Sequence, residues 1–389
     1  MRSQQVFRRL VAGALTACCT LLPLGSRAAD PFEIPVLVPV TGSAAFIGKT
    51  ISLSLSLIEK SVNDSGGING RQIKFVISDD QSNPQVALQL ANGFMANNAP
   101  VILGPIPAAN CNSVGAAAAK NGPVVYCFSS AITPPPGGYM FAAHPSTHDL
   151  LAAAAKFLRE RHLTKVAYIT STDATGQSDD ANFDASFRGK DKGFDIVAYE
   201  HFNAADISVA AQVARIKASG AQVILAWVVG TPFGTVLRNI SDSGLDLPVI
   251  TSGGNLSQTQ MNTYAAFLPK DLYFTGFPSF AYDQLPNGPV KMAVQHFLAV
   301  LKGANVPLEI GNENAWDAGL ITLDAFKRLG FNASAAQIRN YIANLHGWAG
   351  VGGMYDFRAE PQRGVGVSNV YVVRWEADRH TWVSADKFR

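Results

Sequence analysis

Catalytic groups are scarce in this sequence, and its polar residues suit binding better than catalysis. It contains no G-x-S-x-G elbow, H-E-x-x-H pair, Walker loop or G-x-G-x-x-G turn. The pairs Asp79-Asp80 and Asp179-Asp180 are residues of the type that acid–base catalysis needs. We interpret the first pair as the end of a strand and the second as the start of a helix, where negative charge is favoured. We therefore expect no enzymatic activity, no metal site and no cofactor.

Small, hydroxyl-bearing and aromatic residues instead gather in loops that follow predicted strands. In an open parallel sheet these loops form a ligand crevice, and helix N-termini present N–H groups to it. Taken singly, Trp227 or Phe233 could be an ordinary core residue, and Ser129 or Ser130 could merely cap a helix. Their joint position at strand ends favours binding. The predicted ligand contacts are Phe46, Ala108, Ala109, Asn110, Ser129, Ser130, Thr175, Trp227, Thr231, Phe233, Gly254 and Asn255.

The elements that position these loops alternate between β-rich apolar runs and amphipathic helical stretches, which is typical of parallel α/β sheets. Strands are predicted at 34–38, 72–78, 101–103, 124–127, 165–170, 195–199, 223–228, 248–251, 272–275 and, last, 370–375. Helices are predicted at 47–63, 84–97, 108–120, 147–161, 178–192, 207–219, 233–243, 289–302, 313–329 and 335–345. Because 389 residues exceed the size that one core serves, two doubly wound α/β lobes are expected.

The first 28 residues have the pattern of a secretory signal peptide, with a basic start, an apolar run and small residues before a cut after Ala28. A lipobox ending at Cys18 is the alternative, which we favour less because the apolar run continues beyond it. Removal of the leader takes away four arginines and changes the net charge from +2 to −2. The remaining basic residues are scattered, so nucleic acid is not an expected partner. We expect a periplasmic monomer.

Two cysteines, Cys111 and Cys127, remain after the predicted cut. A pair in an exported protein is a candidate for a disulfide, because the periplasm is oxidising. Two buried free thiols are the alternative. A metal site is disfavoured, because no histidine lies near this pair at the spacing that metal ligands show.

An ordered set of short motifs resembles the branched-chain amino-acid (Leu/Ile/Val-type) periplasmic binding proteins. The matching segments are Pro39…Thr41-Gly42…Gly48, Asn63…Gly66-Gly67-Ile68-Asn69-Gly70, Asp79-Asp80…Pro84-Gln85, Gly104-Pro105, Tyr282-Asp283-Gln284 and Gly350…Gly353…Tyr355-Asp356-Phe357. Any one motif is weak, whereas the ordered set along the mature chain is specific.

The resemblance implies a type I periplasmic binding protein fold, in which two lobes joined by a three-stranded hinge close on a ligand. It places lobe one at 29–146 plus 281–347 and lobe two at 147–280 plus 348–389. It also implies delivery of the ligand to the permease and ATPase subunits of an ABC importer. A ligand-sensing regulator of the same fold, which would need an output domain, and an α/β hydrolase, which would need a nucleophile–base pair, are the competing hypotheses.

The sequence departs from the amino-acid binders of this family at two places. They usually have Ser or Thr after the Gly-Pro turn, where this chain has Ala108 and Ala109. They often hold the α-ammonium with an acidic residue after a late strand of lobe two, where this chain has the stretch 252–255, Ser-Gly-Gly-Asn. Trp227 or Phe233 matches the aromatic residue that they often carry near the hinge. We therefore expect a small organic acid, a class that includes benzoate-like aromatic acids, in preference to an α-amino acid. If the ligand is an amino acid, we expect Asp173 to be the partner of its ammonium group.

Overall fold

The computed structural model describes residues 30–385. The first sheet has five parallel strands in the order β2-β1-β3-β4-β5. Its central strands are buried on both faces, which explains why they are short continuous apolar runs. The strands are β1 (Phe32–Val38), β2 (Ile73–Asp79), β3 (Val101–Leu103), β4 (Val124–Cys127) and β5 (Met140–Ala142).

Helices cover both faces of this sheet and complete lobe one. On one face α1 packs against α10, and the hydroxyl of Ser54 donates to the carbonyl of Asn312 at 2.9 Å. On the other face α2 and α3 pack on a small apolar cluster that includes Leu37 and Ile102. The helices are α1 (Ala45–Asp64), α2 (Pro84–Ala96), α3 (Ala108–Ala118), α9 (Pro289–Gly303), α10 (Ile310–Leu329) and α11 (Ala335–Ala343).

The second sheet, in lobe two, has seven strands in the order β14-β13-β10-β9-β8-β6-β7. The strands from β6 to β10 are parallel, and β13 and β14 are antiparallel additions. The strands are β6 (Lys165–Ser171), β7 (Asp195–Phe202), β8 (Val223–Ala226), β9 (Val249–Ser252), β10 (Leu272–Gly276), β13 (Tyr371–Glu376) and β14 (Thr381–Ser384). The helices are α4 (Thr147–Glu160), α5 (Ala174–Phe187), α6 (Ala210–Ala218), α7 (Thr231–Asp242) and α8 (Gln258–Tyr264).

The chain passes between the two sets of elements at three irregular segments, and buried polar groups anchor the last of them. The guanidinium of Arg363 donates to the carbonyls of His144, at 2.7 Å, and of Ile132. Asp317 of α10 accepts the N–H groups of Val351 and Gly352 at 2.9 and 2.7 Å. These bonds join segments far apart in the sequence, next to a hairpin of β11 (His346–Ala349) and β12 (Met354–Asp356). The exact lobe boundaries stay a prediction.

The α/β class with two lobes is confirmed, and several predicted elements need correction. Helix α5 begins four residues before the predicted start, because the side chain of Asp173 caps it by accepting the N–H groups of Thr175 and Gly176. The Asp179-Asp180 pair therefore lies inside the helix and does not cap it. A further strand, β14, follows the strand that was predicted to be the last. The sequence analysis also did not predict strands β5, β11 and β12 or helix α8. The signal peptide prediction falls outside the described residues. None of the helices within 30–385 has the length and apolar character of a membrane span.

Candidate ligand-binding cleft

A cavity of about 200 Å³ lies between the two lobes at the carboxyl ends of their strands. Loops after β1, β3 and β4 form its wall in lobe one, and loops after β6, β8 and β9 form its wall in lobe two. This is the edge at which open parallel sheets bind ligands. The cavity suits a small molecule, since many of its lining residues are buried and the lining mixes a few polar groups with aromatic rings.

The wall from lobe one offers hydroxyls and backbone N–H groups. Helix α3 begins at Ala108, which lines the cleft, and no side chain caps its first N–H groups. Ser129 accepts the N–H of Ala131 at 3.2 Å, and its hydroxyl hydrogen is left to donate. No helix begins at Ser129 or Ser130, so these serines do not cap one. Helix α4 begins beside Ser130 instead, and the N–H of Thr147 donates to the Ser130 carbonyl at 3.1 Å.

A disulfide lies directly behind this wall. Cys111 in the first turn of α3 is bonded to Cys127 at the end of β4, with a Cα–Cα distance of 6.0 Å. Both cysteines are fully buried in a small cluster that includes Ala108 and Ala131. The predicted pairing is confirmed, and the bond fastens the start of α3 to the strand that presents Ser129.

The wall from lobe two is built around Trp227, whose side chain is 2% exposed. The hydroxyl of Thr170 donates to the carbonyl of Trp227 at 2.7 Å. Asn255 holds the rest of this loop, because its amide donates to the carbonyl of Val228 at 2.8 Å and accepts the N–H of Gly230 at 3.2 Å. Asn255 therefore positions the loop and does not line the cavity.

The structure brings seven of the predicted contacts to the cavity and leaves five outside its lining. Those that line it are Phe46, Ala108, Ser129, Ser130, Thr175, Trp227 and Gly254. Those that do not are Ala109, Asn110, Thr231, Phe233 and Asn255. Phe233 is fully buried and packs edge-on against Phe274, so it belongs to the core. Asn110 is fully buried beside Asp80, away from the cavity.

Sequence reasoning missed several polar lining residues because they lie outside the loops that follow predicted strands. His144 follows β5 at the first passage between lobes, and Asn314 lies in the first turns of α10. Burial, with the nearby charge of Arg363, lowers the pKa of His144 to about 3, so its imidazole is neutral. Its ring packs against Phe277 with a centroid distance of 5.0 Å. His144 and Asn314 thus add neutral polar groups at the base of the cleft.

Apart from His144, the ionisable residues that line the cavity are acids. Asp173 and Asp179 line it, and no Lys or Arg is found among the described lining residues. Asp173 is exposed, and one of its carboxylate oxygens accepts the hydrogen bonds that cap α5. A ligand carboxylate would therefore be held by N–H and O–H groups, without a cationic partner.

One helix of each lobe, α1 and α5, approaches the cleft through a glycine. A Cβ at Gly48 would overlap the carbonyl oxygen of Pro39, and a Cβ at Gly176 would overlap the carbonyl oxygen of Ser171. Only glycine allows these helices to approach the loop after the preceding strand so closely. Of the two, Gly48 belongs to the ordered motif set, and Gly176 is its structural counterpart in lobe two.

Comparison with known proteins decides the family. A sequence model described as periplasmic binding protein matches residues 31–380. The chain belongs to the periplasmic binding protein family. A curated relative, the Leu/Ile/Val-binding protein homolog 1 of Brucella suis, is 24% identical to this binding protein over 318 residues, which are 76% of this chain and 85% of the relative.

Solved structures support the same fold for this binding protein. A branched-chain amino-acid transporter substrate-binding protein of Streptococcus pneumoniae, in complex with isoleucine, superposes with a TM-score of 0.75 at 18% identity, over 91% of this chain and 98% of that one. A solute-binding protein of an ABC transporter of R. palustris, in complex with benzoate, gives a TM-score of 0.73 at 16% identity, over 92% and 96%. These likenesses establish the type I periplasmic binding protein fold.

Proposed function

We propose that this binding protein is exported to the periplasm, captures a small organic acid between its lobes and delivers it to the permease and ATPase subunits of an ABC importer. The observation that carries the proposal is the presence of hydrogen-bond donors and aromatic rings in the lining of one cavity. Hydroxyl and N–H donors at Ser129, Ser130 and the start of α3 form one wall. Phe46 and Trp227 supply aromatic surface to the same cavity.

A carboxylate fits the donor wall. The N-terminus of α3 carries a partial positive charge, and the adjacent serine hydroxyls can donate to the same anion. Hydrogen bonds to an ionised acceptor are shorter and stronger than those between neutral groups. The body of the ligand would then lie against Phe46, Trp227 and Phe277, where an apolar or aromatic group gains from burial and edge contacts.

A branched-chain or other α-amino acid is the second candidate. It is favoured by the name of the Brucella relative and by the isoleucine complex of the Streptococcus protein. The benzoate complex of the R. palustris protein shows that this fold also accepts an aromatic acid. An ammonium group needs an anionic partner here, because a buried unpaired charge is costly, and the exposed Asp173 would be that partner.

Calorimetry and thermal-shift assays with benzoate, hexanoate, leucine and valine separate the two candidates. We expect at least one simple carboxylate to bind, and at a hundred times its dissociation constant to stabilise the fold by about 2.7 kcal/mol. Replacing both Ser129 and Ser130 with alanine should weaken that binding, whereas Asp173→Asn should not. Micromolar binding of leucine or valine that is lost in Asp173→Asn, with no response to either carboxylate, would overturn the proposal.

A further inference from the structure

One buried acid in the cleft has no role in the fold described so far. Asp179 lies in the second turn of α5, is 4% exposed and lines the cavity. It does not cap the helix, a role taken by Asp173. Its neighbour Asp180 differs, since Asp180 bonds to His201 at 2.9 Å and accepts the hydroxyl of Tyr199 at 3.0 Å. Asp179 is thus the buried acid that a ligand in the cleft would meet.

Within the described part of the chain, no cation is found to compensate a negative charge on Asp179. From α4 the hydroxyl of Thr147 is hydrogen-bonded to it, and on its own helix Asp173 and Asp180 add further negative charge. From β6 the phenol of Tyr168 is buried nearby. The one basic group among the described lining residues is His144, which is neutral because burial lowers its pKa to about 3.

Burial therefore disfavours a charged Asp179. Removing a carboxylate from water penalises its ionised form, and neighbouring acids add to that penalty. Burial raises the pKa of Asp179 well above its ordinary value, and Asp173 and Asp180 contribute in the same direction, while the hydrogen bond from Thr147 opposes the shift. A neutral carboxylic acid retains a proton that it can donate.

We propose that Asp179 is a specificity-determining residue, which donates a hydrogen bond from its neutral carboxyl group to an oxygen of the bound carboxylate. The inference rests on the proposed function, because it requires an anionic ligand. A hydrogen bond from a neutral acid to a carboxylate is charge-assisted and strong, whereas an ionised Asp179 would repel the same ligand. When Asp179 is ionised in the ligand-free protein, binding must take up one proton from solvent onto its carboxylate.

Benzoate affinity measured by calorimetry between pH 5 and pH 9.5 tests this proposal. Asp179→Asn keeps a neutral donor, and Asp179→Leu has a similar size but no donor. At pH 5 we expect the wild type and Asp179→Asn to bind alike and Asp179→Leu to bind at least tenfold more weakly. Above the pKa of Asp179, wild-type affinity should fall by up to tenfold per pH unit, while that of Asp179→Asn stays constant. Asp173→Asn, the matched control, should keep the pH-dependent fall in affinity but move it to lower pH, because the charge of Asp173 contributes to the raised pKa of Asp179.

Equal losses of affinity in Asp179→Asn and Asp179→Leu at pH 5 would overturn the proposal, as would the same pH dependence in wild type and Asp179→Asn above the pKa of Asp179.

The pH dependence of the unfolding free energy of the ligand-free protein reports the protonation state of Asp179 independently of ligand binding. A raised pKa makes the wild type lose stability relative to Asp179→Asn as pH rises from about 4. If no carboxylate binds but this loss is seen, the proposed ligand class fails while the neutral state of Asp179 stands. A stability difference that does not change with pH contradicts the neutral acid itself.

Discussion

Replacing Trp227 with alanine is expected to weaken ligand binding by about 2–4 kcal/mol, or roughly 30- to 1,000-fold. The side chain is 2% exposed and lines the cavity, so its loss removes aromatic surface and admits water beside the ligand. Truncation of a buried aromatic residue also costs about 3–5 kcal/mol of folding stability. Binding should therefore be measured by calorimetry at a temperature where denaturant titration shows the variant to be folded.

Trp316 provides the matched control for Trp227. It is similarly buried, at 5% exposure, but it packs against Phe297 in lobe one and does not line the cavity. Trp316→Phe and Trp227→Phe should destabilise the fold by comparable amounts, and only the second should weaken binding. Equal affinity in these two variants would contradict the assignment of Trp227 to the ligand site.

Removal of the disulfide, by replacing both Cys111 and Cys127 with alanine, is expected to cost about 3 kcal/mol of stability. The bond closes a loop with a sequence separation of 16, and the cost follows from the extra freedom that the unfolded chain gains. We also expect binding to weaken several-fold, because the bond fastens the start of α3 to the end of β4, which precedes Ser129. Urea unfolding and calorimetry, both without reductant, measure the two effects.

Reduced wild-type protein should reproduce the behaviour of the cysteine-free variant. Ellman titration of the unfolded, unreduced, exported protein should find no free thiol at these two positions. Two reactive thiols would contradict the bond, and unchanged affinity in the variant would contradict its role in holding the cleft wall.

Much of the fold could be predicted because the strands and helices of parallel α/β proteins have recognisable patterns of apolar residues in the sequence. Buried strands such as β3 and β4 are short apolar runs in the sequence. The backbone N–H donors at the start of α3 could be predicted because Ala108 follows a strand. The start of α5 was predicted too late, although Asp173 is a good N-cap residue. The helix lacks a clear apolar stripe, so periodicity does not mark its beginning or the burial of Asp179.

The remaining parts of the site depend on contacts between distant segments. His144 and Asn314 are brought to one cavity by the passages between lobes, which no local pattern records. Conversely, Asn255 follows a strand, as a ligand contact should. Its amide, however, is hydrogen-bonded to backbone groups of the loop that carries Trp227. A position at a strand end is thus necessary for many contacts and does not distinguish a ligand contact from a residue that supports one.

Native mass spectrometry of the binding protein purified from the periplasm tests the central claim most directly. We predict one noncovalent small molecule per chain, whose fragmentation shows a carboxylic acid without a basic amine, and whose occupancy falls sharply in Trp227→Ala but not in Trp316→Phe. A bound molecule that carries a basic amine, or one that Trp227→Ala retains at wild-type occupancy, would contradict the account.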